Sequence, residues 1–348
     1  MIITRTPFRI SFFGGGTDYP VWYQEHGGAV LATTINKYCY LSCRWLPPFF
    51  EHHSRILYTR VENVRSNDEI QHPSVRACLA YLGIREGIEI HHNADLPART
   101  GLGSSSAFTV GLLQALYALR QQMRGKQQLT EEAIHVEQKL LQENVGSQDQ
   151  TMAAWGGLRK VTFHHDGQIT PEPVVVSKER LDWLQRHLLL YFTGFSRTAS
   201  EIARQQIENT PKRTVELTAI RQMVDEGLDI LTNSRRPVEE FGTLLHEGWQ
   251  MKRRISDRIS NNHLDEIYLA GQDAGALGGK LLGAGGGGFM LFFVPVDRQP
   301  EFRRKMSRLM NVPFRFESNG AQLITYEPEE EFDGNLVRDR ERVYATHA

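Results

Sequence analysis

Cysteine is scarce. The 348 residues hold three, Cys39, Cys43 and Cys78. An odd number, never at ligand spacing with histidine, excludes a disulfide framework and a zinc cluster, so reduced thiols are expected. An excess of either charge is also missing. Forty Lys and Arg offset 41 Asp and Glu, with no long block of one sign, which leaves no basic surface for nucleic acid. Long apolar runs are absent too. The most apolar stretch, Phe289–Val296, is far too short to cross a bilayer, and residues 1–13 (MIITRTPFRISFF) show no charged-then-apolar leader. A cytoplasmic protein with no membrane partner is the expectation. No internal repeat is visible.

Glycine, by contrast, is plentiful, with 30 residues, many of them clustered. The chain is organised around Pro97–Phe108 (PARTGLGSSSAF), which runs into TVGLLQALYALRQQ. Phe108, Leu112, Leu113, Leu116 and Leu119 there recur at helical spacing. A small-residue loop therefore opens a helix. No Gly-Lys-Ser/Thr follows its glycines and no G-x-G-x-x-G lies within it, which excludes a Walker loop and a dinucleotide fingerprint. Gly101 and Gly103 can take positive φ and bring backbone close to a ligand. The first helical amides lack internal partners and sit at the positive end of the helix dipole. Such a loop suits phosphate, and a glycine-capped helix start is the alternative.

Two further clusters leave the same kind of choice. Gly14-Gly15-Gly16-Thr17-Asp18 follows an expected strand over residues 2–13 that holds Arg9. Either a ligand lies against the glycines, with Thr17 and Asp18 at the rim and the carboxylate accepting from sugar hydroxyls, or this is a glycine turn with an Asx-type bond. Gly283–Gly288 (GAGGGG) precedes the strand FMLFFVPV. Consecutive glycines there cost chain entropy, so either backbone must approach closely or the chain bends tightly.

Between these clusters, residues 46–72 read as loop, and Thr130–Glu143 as a helix capped by Thr130. Ile134, Leu140 and Leu141 form its apolar face, with Glu137 on another side. Asp149, between two glutamines and flanked by glycine turns, is unlike a solvated acid, and a surface acid is the alternative. A second half opens with the strand His187–Thr193 and a turn at Gly194–Arg197, where Thr198-x-x-Glu201 forms a capping box. Helices follow, then FMLFFVPV, a helix over 297–310 and the strands PFRFES and QLITYE, read as an α+β sheet domain. The expected division is 1–180, 181–328 and a charged tail, 329–348.

In this order, Pro7-x-Arg9…Gly14-Gly15-Gly16-Thr17-Asp18, Pro97-x-x-x-Gly101-Leu102-Gly103-Ser104-Ser105-Ser106-Ala107 and Lys280-Leu281-Leu282-Gly283-Ala284-Gly285-Gly286-Gly287-Gly288 resemble the three signature segments of the GHMP small-molecule kinases. The resemblance implies an α+β fold of two domains, the N-terminal one like domain 2 of ribosomal protein S5 and the C-terminal one ferredoxin-like, with substrates meeting between them. Within the family, RISFFGGGTDYP, YFTGFSRTAS and KLLGAGGGGF look most like the D-glycero-D-manno-heptose 7-phosphate kinases and their fucokinase relatives. The Glu-His pair that galactokinases carry before Thr-Asp is missing, which argues against galactose.

The activity implied is ATP-dependent phosphorylation of a sugar's anomeric hydroxyl, taking D-glycero-D-manno-heptose 7-phosphate to the 1,7-bisphosphate. A fucokinase-like or other hexose 1-kinase, and a non-catalytic nucleotide- and sugar-binding sensor, are the alternatives. Carried residue by residue, the resemblance implies that Gly101, Leu102, Gly103, Ser104, Ser105 and Ser106 cradle the ATP phosphates. It implies that Ser105 and Glu137 hold Mg²⁺ and that Asp149 is the catalytic acid with Arg9 beside it. Gly16, Thr17, Asp18, Gly286 and Gly287 are expected to meet the sugar. Arg197, at a helix N-terminus with two hydroxyls, is expected to read a distal phosphate, with a surface cap or a pair with Glu201 as the alternative. The partners are thus ATP and a sugar or sugar phosphate, with room for a homodimer.

Overall fold

The computed structural model describes residues 1–47, 49–194 and 199–328. Among these, the strands form a nine-stranded and a four-stranded sheet. The larger runs in the order β13 (Gln322–Tyr326), β1 (Ile2–Phe13), β2 (Gly28–Trp45), β5 (Ile88–Ala94), β3 (Ser54–Leu57), β4 (Val61–Val64). β6 (Arg159–Phe163), paired to β7 (Ile169–Pro173), and the short β12 (Phe316–Glu317) also join β2. The β3–β5 pair is parallel and the others are antiparallel. The smaller sheet is antiparallel and runs β11 (Met310–Asn311), β8 (Leu188–Gly194), β10 (Gly288–Phe293), β9 (Gly278–Leu281).

β1 shows why the larger sheet has two kinds of surface. Its first residues alternate, with Ile2, Thr4 and Thr6 buried and Ile3 and Arg5 partly open, and everything from Thr6 onward is buried. Alternation marks one covered face, and a continuous buried run marks two. The helix Ser104–Leu119 lies on β1 and β2, and Gly111 permits the approach: a Cβ there would meet the Thr6 hydroxyl at 2.6 Å. Thr4 Oγ1 donates to the Gly111 carbonyl at 3.1 Å. At its far end β1 meets the second half, where Phe12 and Phe13 pack edge-on to Phe241 at 5.3 and 5.0 Å. One apolar cluster therefore runs from Leu112 through Phe12 and Phe13 to Phe241 and Phe289.

Several expectations are corrected. PFRFES and QLITYE do not complete the second sheet, because β12 pairs with β2 and β13 with β1. The β1–β2 register slips at Pro7, which has no amide to give a ladder. Asn36, left over on β2, then bonds Arg315 twice, its amide donating at 2.8 Å and its Oδ1 accepting at 2.6 Å. That junction draws the returning chain onto the first sheet. Residues 46–72 contain the β3–β4 hairpin. Thr130 caps nothing, since its helix begins at Lys126 and its hydroxyl donates to the Lys126 carbonyl at 2.8 Å. The next turn, Val136–Leu140, is a π-helix. Its extra residue rotates the faces, so Leu140 is exposed and Glu137 is completely buried.

Candidate active site

A cavity of about 870 Å³ runs along the seam between the two sheets. Arg9 on β1 and Asp149 on the helix Gln148–Trp155 meet in its wall. Arg9 Nε donates to Asp149 Oδ1 and Nη2 to Oδ2, each at 2.8 Å, a bidentate pair, while Nη1 donates to the Gly101 carbonyl at 2.6 Å. Arg9 is nearly sealed, but the Asp149 side chain is 22% exposed and lines the cavity. One guanidinium thus orients the acid and anchors the glycine loop.

The loop has the form that its composition implies. Gly103 sits at the helix N-cap with φ 74°, a left-handed conformation, and no side chain caps the helix. Gly101, Gly103, Ser104 and Ser105 line the cavity. Leu102 and Ser106 turn inward and are buried. The serines separate in role. Ser105 meets the carboxylate of Glu143, which also lines the cavity; burial pushes that acid up, and Arg99 and Ser105 oppose the rise. Ser106 donates to Glu137 Oε2 at 2.7 Å, and Gln150 donates to the same oxygen. Glu137 Oε1 is buried with no partner. Burial pushes the Glu137 carboxyl up to about 7, against the hydrogen bonds from Ser106 and Gln150. The expected pairing of Ser105 with Glu137 is therefore not assembled, because the π-turn carries Glu137 behind the loop.

Of the residues expected to meet the sugar, Asp18 and Gly16 line the cavity and Thr17 does not. Thr17 is wholly buried, with its hydroxyl 2.8 and 2.9 Å from the Gly14 and Ala29 carbonyls, and it staples the turn to β2. Asp18 accepts from the Gly16 amide at 2.9 Å. Burial and the nearby Asp149 raise its pKa, and its backbone bonds oppose the rise. Gly286 and Gly287 also lie off the cavity, which Gly283 and Ala284 reach instead. The glycines of this segment are required by chain against chain. A Cβ on Gly283 would sit 2.4 Å from the Gly101 Cα, and one on Gly288 would sit 2.3 Å from the Thr100 carbonyl. Arg197 lies outside the described residues.

Two groups escaped the sequence reading. Tyr58, His72, His92 and Phe108 form an aromatic wall, with His72 stacked on Phe108 at 4.7 Å and His92 edge-on to it at 5.0 Å. Burial pushes His92 down to about 4 and lowers His72, so both rings are neutral near pH 7. Four separate elements supply this wall, and no local pattern announces it. Lys252 and Lys280 are buried and line the cavity. Lys252 did leave a trace. It falls on the buried stripe of its helix with Phe241, Leu245, Trp249 and Ile255, where a lysine is out of place.

Comparison with known proteins matches residues 72–157 to the GHMP kinases N-terminal domain and residues 231–312 to the GHMP kinases C-terminal domain. The chain belongs to the GHMP kinases. It is 29% identical over 309 residues to the D-glycero-alpha-D-manno-heptose 7-phosphate kinase of Campylobacter jejuni, covering 84% of this chain and 89% of that protein. It is 24% identical to the bifunctional fucokinase/GDP-fucose pyrophosphorylase of Arabidopsis thaliana over 86% of this chain, but only 30% of that protein. In fold it matches a D-glycero-D-manno-heptose 1-phosphate kinase structure from Bacteroides thetaiotaomicron with a TM-score of 0.71 at 23% identity, over 94% of this chain and all of that one. The two-domain α+β GHMP fold is thus the fold of this chain, and the chain is an ATP-dependent phosphotransferase. No helix among its described residues is long and apolar enough to cross a membrane.

Proposed function

We propose that this GHMP kinase transfers the γ-phosphoryl group of ATP to the anomeric hydroxyl of a sugar, with D-glycero-D-manno-heptose 7-phosphate as the acceptor. The observation that carries the reading is the Arg9–Asp149 pair, open to the cavity beside an uncapped helix start. The amides and serines of Gly101–Ser105 bind the phosphates of ATP, and the neutral wall of Tyr58, His72, His92 and Phe108 takes the adenine ring. Asp149 accepts a hydrogen bond from the attacking hydroxyl and orients it, and Arg9 fixes that carboxylate through two hydrogen bonds. Phosphoryl transfer asks chiefly for such positioning and charge neutralisation. Asp18 and Gly16 line the acceptor end. The match to the heptose 7-phosphate kinase supports the acceptor, since it spans most of both chains.

Mg²⁺ suits one or two carboxylates completed by phosphate oxygens and water. Ser105 and Glu143 fit that demand, since both line the cavity where the phosphates are read to lie. Bound there, Mg²⁺ would neutralise the β- and γ-phosphates. Glu137, with its unpartnered oxygen, stands behind them.

The test is an acceptor panel with Mg-ATP, comprising heptose 7-phosphate, fucose, galactose, mannose and N-acetylhexosamines, with the product's phosphorylated position read by NMR. Phosphorylation of the heptose at its anomeric oxygen, with the highest kcat/KM of the set, is expected. A preference for fucose would replace the acceptor and keep the mechanism. ATP binding without transfer to any sugar would favour a sensor.

A further inference from the structure

Lys252, on the Glu239–Ile255 helix, and Lys280, on β9, have no part in the reading above. Both are more than nine-tenths buried, and both line the cavity. Their hydrogen bonds go only to neutral groups. Lys252 donates to the Gly283 carbonyl, and Lys280 donates to the carbonyls of Ser11 and Phe12 at 2.9 and 2.8 Å. The charged groups that face them are Arg9 from β1, Asp18 from the glycine turn and Asp149 from its helix. Asp149 is committed to Arg9 through both oxygens, and Asp18 is held by backbone amides. Three buried cations therefore face two acids, and neither lysine has a carboxylate of its own among the described residues. Burying ammonium groups without a counter-charge is expensive. Burial and Arg9 push Lys252 down to about 8, and burial and Lys252 push Lys280 down from its ordinary value as well.

An anion arriving between these walls would remove the surplus. Polar room for a ligand is present as well. Ser11 Oγ and Gln148 Oε1, both in side chains more than nine-tenths buried, line the cavity without partners. They border the space above Gly15, where an added Cβ would meet Gln148 Nε2 and Ser11 Oγ only at 3.8 Å. The backbone-bonded Lys280 ties the second half to β1, while Lys252 keeps two of its three protons free for a ligand.

Building on the kinase reading, we propose that Lys252 is a catalytic residue whose ammonium contacts the phosphoryl group in transit from ATP to the acceptor. In that step the acceptor oxygen bonds to the γ-phosphorus as the bond from that phosphorus to the β–γ bridging oxygen breaks. ADP departs with the bond electrons and the hydroxyl proton passes to Asp149. Lys252 gives up no proton. It meets the phosphoryl oxygens while the group is bonded to neither partner fully.

Lys252→Met keeps the stem and removes the charge, and Lys252→Arg keeps the charge. Both are assayed in the full chain with Mg-ATP and the preferred acceptor of the panel. Lys252→Met should lower kcat about 10²-fold. It should leave the acceptor KM within about threefold, and leave binding of a non-hydrolysable ATP analogue unchanged. Lys252→Arg should recover part of kcat and move upward the alkaline decline of kcat/KM, the parameter that reports the free enzyme, in which burial pushes the lysine down to about 8. Normal kcat in Lys252→Met would overturn the proposal. So would an intact kcat with KM raised for phosphorylated acceptors alone, which would make Lys252 a reader of the acceptor's own phosphate. Equal losses in both variants, with lowered Tm and an unmoved alkaline limb, would reduce Lys252 to a strut for Gly283. The kinase reading fails separately: if Asp149→Asn turns over normally, it falls whatever Lys252 does.

Discussion

Asp149 and Glu137 are acids of neighbouring segments, both close to the same glycine loop, and the fold treats them in opposite ways. Asp149 faces a guanidinium with two matched hydrogen bonds and stays open to the cavity. Glu137 has no cation, is sealed from solvent, and leaves one oxygen without a partner. An acid that is to meet an incoming hydroxyl needs access and a fixed orientation, and of these two acids Asp149 has both. Glu137 carries the cost of burial in a carboxyl raised to about 7. Acidity in a motif therefore says little until cation and exposure are known.

Breaking the open pair should have the largest effect. Arg9→Met removes the cation that holds Asp149 and the donor that holds the Gly101 carbonyl. It should lower kcat by about 10²-fold or more, as measured by steady-state assay. A fall below about tenfold would mean that Asp149 keeps its orientation without Arg9.

A smaller effect separates the acids near the serines. Glu143→Gln should raise the Mg²⁺ concentration for half-maximal activity by about tenfold, and Glu137→Gln should raise it less. The reverse order in a Mg²⁺ titration would return the metal to Glu137 and require it to swing out from behind Ser106.

A separate effect concerns stability, and its sign follows from the raised carboxyl. Between the ordinary value of 4.5 and about 7, the folded state holds a proton on Glu137 that the unfolded chain has released. Stability from this group is therefore full below about 4.5 and falls as pH rises to about 7, by an amount on the order of 3 kcal/mol. Glu137→Gln removes that dependence. Urea melts of the two proteins should diverge in favour of the variant as pH rises through this window, and a constant difference would show that Glu137 does not titrate there.

Much of this was legible in the sequence, and what was missed has a common cause. The uncapped helix start at Gly103, the buried strand holding Arg9 and the order of the glycine clusters are local patterns. The structure has the helix start and the strand where these patterns put them, and the family follows from the same segments. The long-range outcomes were missed. Glycines at 283–288 signalled a close approach but could not say to what, and the answer is largely the Gly101 loop. Thr17 beside Asp18 looked like a second polar contact, yet its hydroxyl is spent on the turn. The returning strands β12 and β13 pair with β2 and β1, far away in the chain, and the Asn36–Arg315 junction beside β12 lies at the slip after Pro7. The π-turn at Val136–Leu140 has no residue that announces it, and it alone decides where Glu137 points.

In the proposed mechanism Asp149 serves the acceptor hydroxyl and not the nucleotide. Asp149→Asn keeps the shape and removes the charge, so one paired measurement tests it: kcat with the preferred sugar, and the dissociation constant of a non-hydrolysable ATP analogue by calorimetry. A fall in kcat of at least about 10²-fold, with the nucleotide affinity essentially unchanged, is expected. Near-normal kcat, or a loss of turnover matched by a loss of nucleotide binding, would contradict it.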